Sequence, residues 1–267
     1  MIQTKILNIN KKMVRKNNRA QVAVFIILAI AIVIVLLFLF VGRDRLFSVF
    51  VSESPINQIK KCAQEPVQEA VDILKVQGGS LEPELYYLYK GNKVEYLCYI
   101  DGYYQDCIMQ KPLLKQSIEK EIQKYAEPRI KNCMEGVKSS LQDNGYSVSM
   151  TEPKISFSLV PNNIMIDIDT DLSISKDGTE SYKSIKTDIN SKLYDMVMLS
   201  SSISNWEARY GDSETMTYMM YYPSLKLEKK KQGDGTTIYI LTNRNYPEDK
   251  FMFASRSLVL PSGLTGV

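Results

Sequence analysis

Histidine does not occur anywhere in the 267 residues. Its absence removes the Ser-His-Asp and Cys-His forms of nucleophilic catalysis, together with the commonest metal ligand. Cysteine occurs four times and tryptophan once. No two cysteines form a Cys-x-x-Cys pair, the usual half of a four-cysteine zinc site. Gly78-Gly79 is the only glycine pair, and no P-loop lysine follows it, so it reads as a helix end rather than a phosphate cradle. Internal repeats and low-complexity tracts are also lacking. One tetrad, Ser117-Ile118-Glu119-Lys120, matches Ser-x-x-Lys. Neither Ser-Asp-Asn nor Lys-Thr-Gly accompanies it, and such tetrads are common on charged helix faces. No catalytic group, cofactor or metal is expected.

A long apolar run is present. Residues 22–41, VAVFIILAIAIVIVLLFLFV, carry no charge, proline or glycine. Twenty helical residues rising about 1.5 Å each span roughly 30 Å, the thickness of the bilayer hydrocarbon. The run exceeds the core of a secretory signal and leads into Gly42-Arg43-Asp44-Arg45 without a small-residue cleavage pattern. A transmembrane helix over 21–45 is the expectation. Six cations (Lys5, Lys11, Lys12, Arg15, Lys16 and Arg19) and no acidic residue precede it. By the positive-inside rule the leader, 1–20, stays cytoplasmic and the C-terminal part is extracytoplasmic, as a single-pass protein of the cell membrane. Taking those six from the 33 Lys and Arg leaves 27 against 30 Asp and Glu, about −3 for the remainder. That balance gives no reason to expect a nucleic-acid partner.

The junction Asn18-Arg19-Ala20-Gln21-Val22-Ala23-Val24-Phe25 puts a basic leader and a small residue before Gln and an apolar helix. It resembles the class III signal of archaeal type IV pilin-like proteins. The resemblance implies cleavage on the cytoplasmic side between Ala20 and Gln21, leaving the helix as an anchor or filament core. Many pilins carry Glu at the fifth mature position, where it assists assembly; here Phe25 stands there. Further along, a helix bearing Cys62 ends in Gly78-Gly79, a Tyr-rich stretch and a second helix bearing Cys133 follow, and Phe251-Met252-Phe253-Ala254-Ser255-Arg256 lies near the end. This order resembles uncharacterised single-pass surface proteins of archaea, which implies location and architecture and no chemistry.

Beyond the anchor the composition is that of a folded domain, and the expected divisions are 46–150, helical, Tyr-rich and disulfide-bonded, and 151–267, β-rich. Residues 56–76 place Ile59, Cys62, Ala70, Ile73 and Leu74 near one helix face, with Pro66 expected to kink or interrupt it. Residues 85–104 hold Tyr86, Tyr87, Tyr89, Tyr96, Tyr99, Tyr103 and Tyr104. A strand pair turning at Asp101-Gly102, with tyrosines half-buried, is favoured over a dedicated contact surface. Residues 112–142 repeat Leu114, Ile118, Ile122, Tyr125, Cys133, Val137 and Leu141 at helical steps, with Pro128 expected to bend or split the helix. Period-two alternation follows: Ile164, Ile166, Ile168, Leu172 and Ile174 against Asp167, Asp169 and Asp171. A turn at Asp177-Gly178, a strand over 181–189, a helix carrying Leu193, Met196, Ile203, Trp206 and Tyr210, a hairpin around 232–235 and a last strand over 251–260 complete the pattern. The expected fold is α+β: an N-terminal transmembrane helix, then a head of two or three helices and an antiparallel sheet.

Four cysteines in an exported domain argue for two disulfides, and spacing alone permits three connectivities. A two-residue loop at Gly102-Tyr103 sets Cys98 opposite Cys107 at bridging distance, whereas a loop at Asp101-Gly102 sets Cys98 opposite Gln105. The first register leaves Cys62 and Cys133 to join the two helices. Asp167-x-Asp169-x-Asp171 fails as a calcium loop, because Leu172 stands where the turn glycine belongs and Gly178 where the bidentate Glu belongs. The function expected from the sequence is a membrane-anchored, non-enzymatic surface protein whose head meets a protein or glycan partner. The alternative is a pilin-like subunit of a surface filament.

Overall fold

A computed structural model describes residues 54–258 and, before them, Ile30 alone. By contacts the chain divides into two compact units, Met1–Ser54 and Pro55–Val267. The junction at 150/151 lies inside the second unit.

Helix α1, Pro55–Val76, begins on a proline, which suits a first helical turn because its missing N–H has no partner there. It runs unbroken through the buried Pro66, with Ile59, Cys62, Ala63, Val67, Ala70, Val71 and Leu74 inward. The continuity expected to fail at Pro66 is kept because that whole face is packed. Gly79 N–H closes the end on Leu74 O at 2.9 Å. Gly78 and Gly79 have φ of 75° and 93°. A Cβ on Gly78 would stand 2.9 Å from Glu95 Cβ, so positive φ and close approach both require glycine.

Strands β1, Tyr86–Tyr89, and β2, Asn92–Tyr99, form a hairpin through Lys90-Gly91, both at positive φ, as a primed two-residue turn demands. The tight turn thus lies eleven residues before Asp101-Gly102, which sits in a wider loop to β3, Ile108–Met109. There Cys98 faces Met109 and Tyr99 faces Ile108, a register slipped by two from the Gly102-Tyr103 loop and by four from the Asp101-Gly102 loop. Helix α2, Leu114–Asp143, also continues past its proline, Pro128. It buries Leu114, Ile118, Ile122, Ala126, Ile130, Met134 and Leu141 and leaves Cys133 exposed at the margin of the stripe.

Strands β4, Ser147–Met150, β5, Lys154–Val160, β6, Asn163–Ser175, and β7, Thr179–Asn190, make one sheet. β7 lies along one edge of β6, and β4 and β5 share the other, all antiparallel. Helices α3, Leu193–Tyr210, and α4, Thr215–Tyr221, follow. The last strands are β8, Leu225–Lys231, β9, Thr237–Asn243, and β10, Lys250–Arg256. They join the first hairpin in a six-stranded sheet ordered β1-β2-β10-β9-β8, with β3 on β2. β10 runs parallel to β2, and the other pairings are antiparallel.

The expected architecture therefore needs correction. The described residues hold four helices rather than two or three, and two sheets rather than one, with a parallel pairing in the larger. Both edges of β6 are taken by its sequence neighbours, so β8, β9 and β10 build on β2 instead. Among the described residues no helix is long and apolar enough to cross a membrane. Apart from Ile30, the transmembrane helix expected over 21–45 lies outside the described residues, as do the leader and its Ala20-Gln21 junction.

One continuous core joins α1, α2, α3, the inner face of the four-stranded sheet and one face of the other, where Leu97, Tyr239, Leu241, Phe251 and Phe253 meet it. A smaller cluster, including Val94, Tyr96, Ile238 and Ile240, lies on the opposite face. Two disulfides form: Cys62–Cys133, joining α1 to α2, and Cys98–Cys107, across the base of the β2–β3 loop. Their sequence separations are 71 and 9 residues. In the chain-entropy treatment these closures stabilise by about 4.4 and about 2.7 kcal/mol. Removing Cys62 and Cys133 together as serines is expected to lower Tm more than removing Cys98 and Cys107 together, by several degrees in calorimetry. The reverse order would show that native packing, not unfolded-state entropy, sets their worth.

Candidate interaction surface and polar cleft

Helix α3 turns Leu193, Met196, Val197, Ser200, Ile203, Ser204 and Glu207 inward. Trp206 and Tyr210, expected on that stripe, fall beside it instead: Trp206 is 44% and Tyr210 62% exposed, their ring centroids 4.6 Å apart. Gly211, at φ 81°, ends the helix. The Glu214 side chain accepts from Met216 N–H at 2.8 Å and opens α4. That helix, TMTYMMY, has no buried residue, and Met220 and Tyr221 are each 80% exposed. Tyr218 OH lies 3.2 Å from Ser202 Oγ and ties α4 back to α3. Trp206, Tyr210, Met216, Met220, Tyr221 and Tyr222 thus gather exposed aromatic and thioether groups on neighbouring elements. Such residues are enriched where proteins bind one another. Local pattern does not reveal α4, because its inward side, Thr215, Tyr218 and Met219, spans barely one helical repeat and its outward side is equally apolar.

Behind this surface Glu207 is 3% exposed. Its Oε1 accepts from Tyr239 O–H and, at 2.8 Å, from Ser213 N–H. Oε2 accepts from Ser255 Oγ at 3.2 Å. The Glu207 carbonyl accepts from Ser257 Oγ, which itself accepts from Cys107 N–H. The side chain therefore ties α3 to the turn before α4, β9 and β10, and the carbonyl of the same residue reaches the disulfide loop through Ser257. Burial pushes the Glu207 carboxyl above its ordinary range, against the hydrogen bonds from Tyr239 and Ser213 and the nearby Lys229. Burial, reinforced by Glu207, drives the Tyr239 phenol far above the usual range. Lys229 crosses the Tyr239 ring 5.5 Å from its centroid, donating to Ser213 O at 2.8 Å and pairing with Asp212. Glu207 stands at a helical step from Ile203 and Ser200, so its inward position was readable, though its charge argued against it.

A second buried carboxylate, Glu95, accepts from Ser80 Oγ and from Lys111 Nζ, each at 2.6 Å, while Lys111 also donates to Ser80. Burial raises the Glu95 pKa despite both partners. The trio fastens the end of α1 to β2 and to the segment entering α2. With Ser80 buried and both partners engaged on the carboxylate, it serves as a clasp.

A cleft of about 690 Å³ lies where α1, the β7–α3 link and the β9–β10 loop meet. Lys75 Nζ contacts Asp249 Oδ1 at 2.5 Å, and Asn243 Nδ2 donates to Oδ2 at 3.3 Å. Asn243 N–H donates to Asp249 O, Asp249 N–H to Tyr246 O, and Asn245 N–H to the Asn243 side chain. The loop is thereby held by its own polar groups.

The remaining sequence-derived candidates scatter. Asp167, Asp169 and Asp171 lie on the outer face of β6, with Asp167 3.3 Å from Lys186 directly across the strand pair. Ser117 and Lys120 lie in the first turns of α2. The tyrosines divide: Tyr96 is buried, its OH 2.7 Å from Thr236 Oγ1, while Tyr103 and Tyr104 are exposed on the disulfide loop. No family model, curated protein or solved structure matches this chain.

The raised carboxyl of Glu207 carries a sign. A native state that holds a proton more tightly than the unfolded chain loses stability as pH climbs from about 4, where free Glu titrates, through the raised value. Glu207→Gln, which can keep the Tyr239 and Ser213 bonds, is expected to gain stability relative to wild type across that window in urea titrations from pH 4 to 8. A pH-independent difference would remove the linkage. Glu207→Ala, which orphans buried donors, is expected to cost on the order of 3 kcal/mol near pH 4, and less as pH rises and the wild type loses its own margin.

Proposed function

We propose that this is a membrane-tethered cell-surface protein whose head, residues 54–258, is a non-enzymatic interaction module contacting a protein partner through the Trp206–Tyr222 face of α3 and α4. The observation that carries this reading is the exposure of Met216, Met220 and Tyr221 on a short helix seated on the core by the half-buried Tyr218 and Met219, beside the exposed Trp206–Tyr210 pair. Leaving that much apolar area in water is unfavourable at about 25 cal/mol per Å², a cost a partner removes. Tyr and Trp offer rigid contact area with a polar tip, and Met adapts to the opposing shape. The tether is the apolar stretch 22–41, and the six cations before it keep the N-terminus inside. Two disulfides and no free cysteine among the described residues suit an oxidising exterior.

Protease added to intact cells is expected to trim the part after Arg45, and full protection of that part would reverse the orientation. A photo-crosslinking side chain at Met220, in the full chain on its native cells, is expected to give a discrete protein adduct. The same side chain at Lys183, an exposed residue of β7, is expected to give none. No adduct at Met220, or equal labelling at both positions, would remove α3–α4 as the contact surface.

A further inference from the structure

The polar cleft shares no residue with the α3–α4 face just described, and its chemistry differs. Three lysines, Lys75, Lys192 and Lys250, line it with three carboxylates, Asp72, Glu248 and Asp249, so its formal charge is zero. Two of those lysines are already engaged. Lys75 holds Asp249, both side chains less than one fifth exposed, and Lys192 holds Asn162 and Asp195. Little cationic capacity remains for a phosphate, sulfate or carboxylate. The carboxylates do not gather into a metal-ligand group among the described residues, so an ion-bridged ligand has no seat. Val76 and Tyr246 are the only aliphatic and aromatic side chains in the lining, too few to hold a lipid chain.

What the cleft offers instead is a dense set of neutral and balanced hydrogen-bonding groups on a prearranged frame. Asn190 and Asn245 each carry an amide donor pair and an acceptor, Gln68 spends one N–H on Asp72 at 2.8 Å, and the carboxylates of Asp72 and Glu248 add acceptors. A planar amide or carboxylate can satisfy two adjacent hydroxyls at once, which a point charge cannot. Tyr246, 60% exposed, supplies an aromatic face on which the C–H side of a sugar ring can pack. The volume falls within the roughly 300–1,000 Å³ of small-ligand sites. Lys75–Asp249 and the internal hydrogen bonds of the β9–β10 loop fix the frame before any ligand arrives, which lowers the ordering cost of binding.

We infer that this cleft is a binding site for a neutral, hydroxyl-rich ligand, an uncharged oligosaccharide segment, with Tyr246 as its stacking platform and Asn245 among its hydrogen-bonding groups. The full-length chain, kept in a detergent without a sugar headgroup, is titrated by calorimetry with maltotetraose, cellotetraose, chitotetraose and mannotetraose. A heparin tetrasaccharide and inorganic phosphate serve as charged comparators. At least one neutral tetrasaccharide is expected to bind, with Tyr246→Ala and Asn245→Ala each weakening it tenfold or more. Lys183→Ala, outside the lining, is expected to leave binding unchanged. Tyr246 and Asn245 are exposed loop residues, and an unshifted Tm confirms that each variant is folded. No binding by any of the four sugars, tighter binding of heparin or phosphate, or sugar binding indifferent to Tyr246 and Asn245 would overturn the assignment. Because the α3–α4 variants touch none of these residues, either proposal can fail without the other.

Discussion

The parallel pairing of β10 with β2 closes the head on itself. Ala254 is matched to Tyr96 and Ser255 to Cys98, residues more than 150 positions apart. Once this pairing is made, β2 and β10 are buried on both faces, and Leu97, Phe251 and Phe253 complete one side of the main core. Arg256 then reaches Ile100 O and, at 3.0 Å, Asp234 O, pinning the wide β2–β3 loop and the β8–β9 turn to the end of the same strand. A parallel pairing cannot be made by a tight turn. It needs a long crossover, here everything from β3 to β9, so it forms only when the rest of the head is already near its place.

The buried carboxylates follow from that closure. Glu207 sits where α3 crosses the completed sheet, and its partners come from β9, β10 and the turn before α4. Glu95 occupies the equivalent role at the start of β2, gathering Ser80 and Lys111. Both carboxyls are raised by burial, so each weakens the folded state once deprotonated, and each persists because its neighbours would otherwise be left unpaired. These clasps specify which segments meet more than they add stability.

Against this fixed interior, two outer features differ in kind. The α3–α4 face exposes aromatic and thioether side chains, suited to another protein's surface. The cleft by α1 and the β9–β10 loop is polar, electrically balanced and concave, suited to hydroxyl-bearing ligands.

Much of this was legible in local pattern. The i, i+4 stripes of α1 and α2, the glycine stop at Gly78-Gly79, the alternation through β6 and the turn at Asp177-Gly178 are nearest-neighbour properties, and they appear where the residues place them. The two cysteine pairs are those a tight Gly102-Tyr103 turn would select among three connectivities, but that turn does not form: the loop is wider and Cys98 faces Met109. Local pattern could not assign β2 and β10 to one sheet and β6 to another, because edge occupancy depends on which strand arrives first and which edge remains. Nor could it keep α1 and α2 whole through Pro66 and Pro128, since the penalty of a missing hydrogen bond is outweighed only by packing against partners distant in sequence. Trp206 outside and Glu207 inside is the sharpest case. Hydropathy places the indole in the core and the carboxylate in water; only the assembled sheet supplies Tyr239 and Ser255, and the turn before α4 Ser213 N–H, to a buried carboxyl, and leaves the indole at the surface.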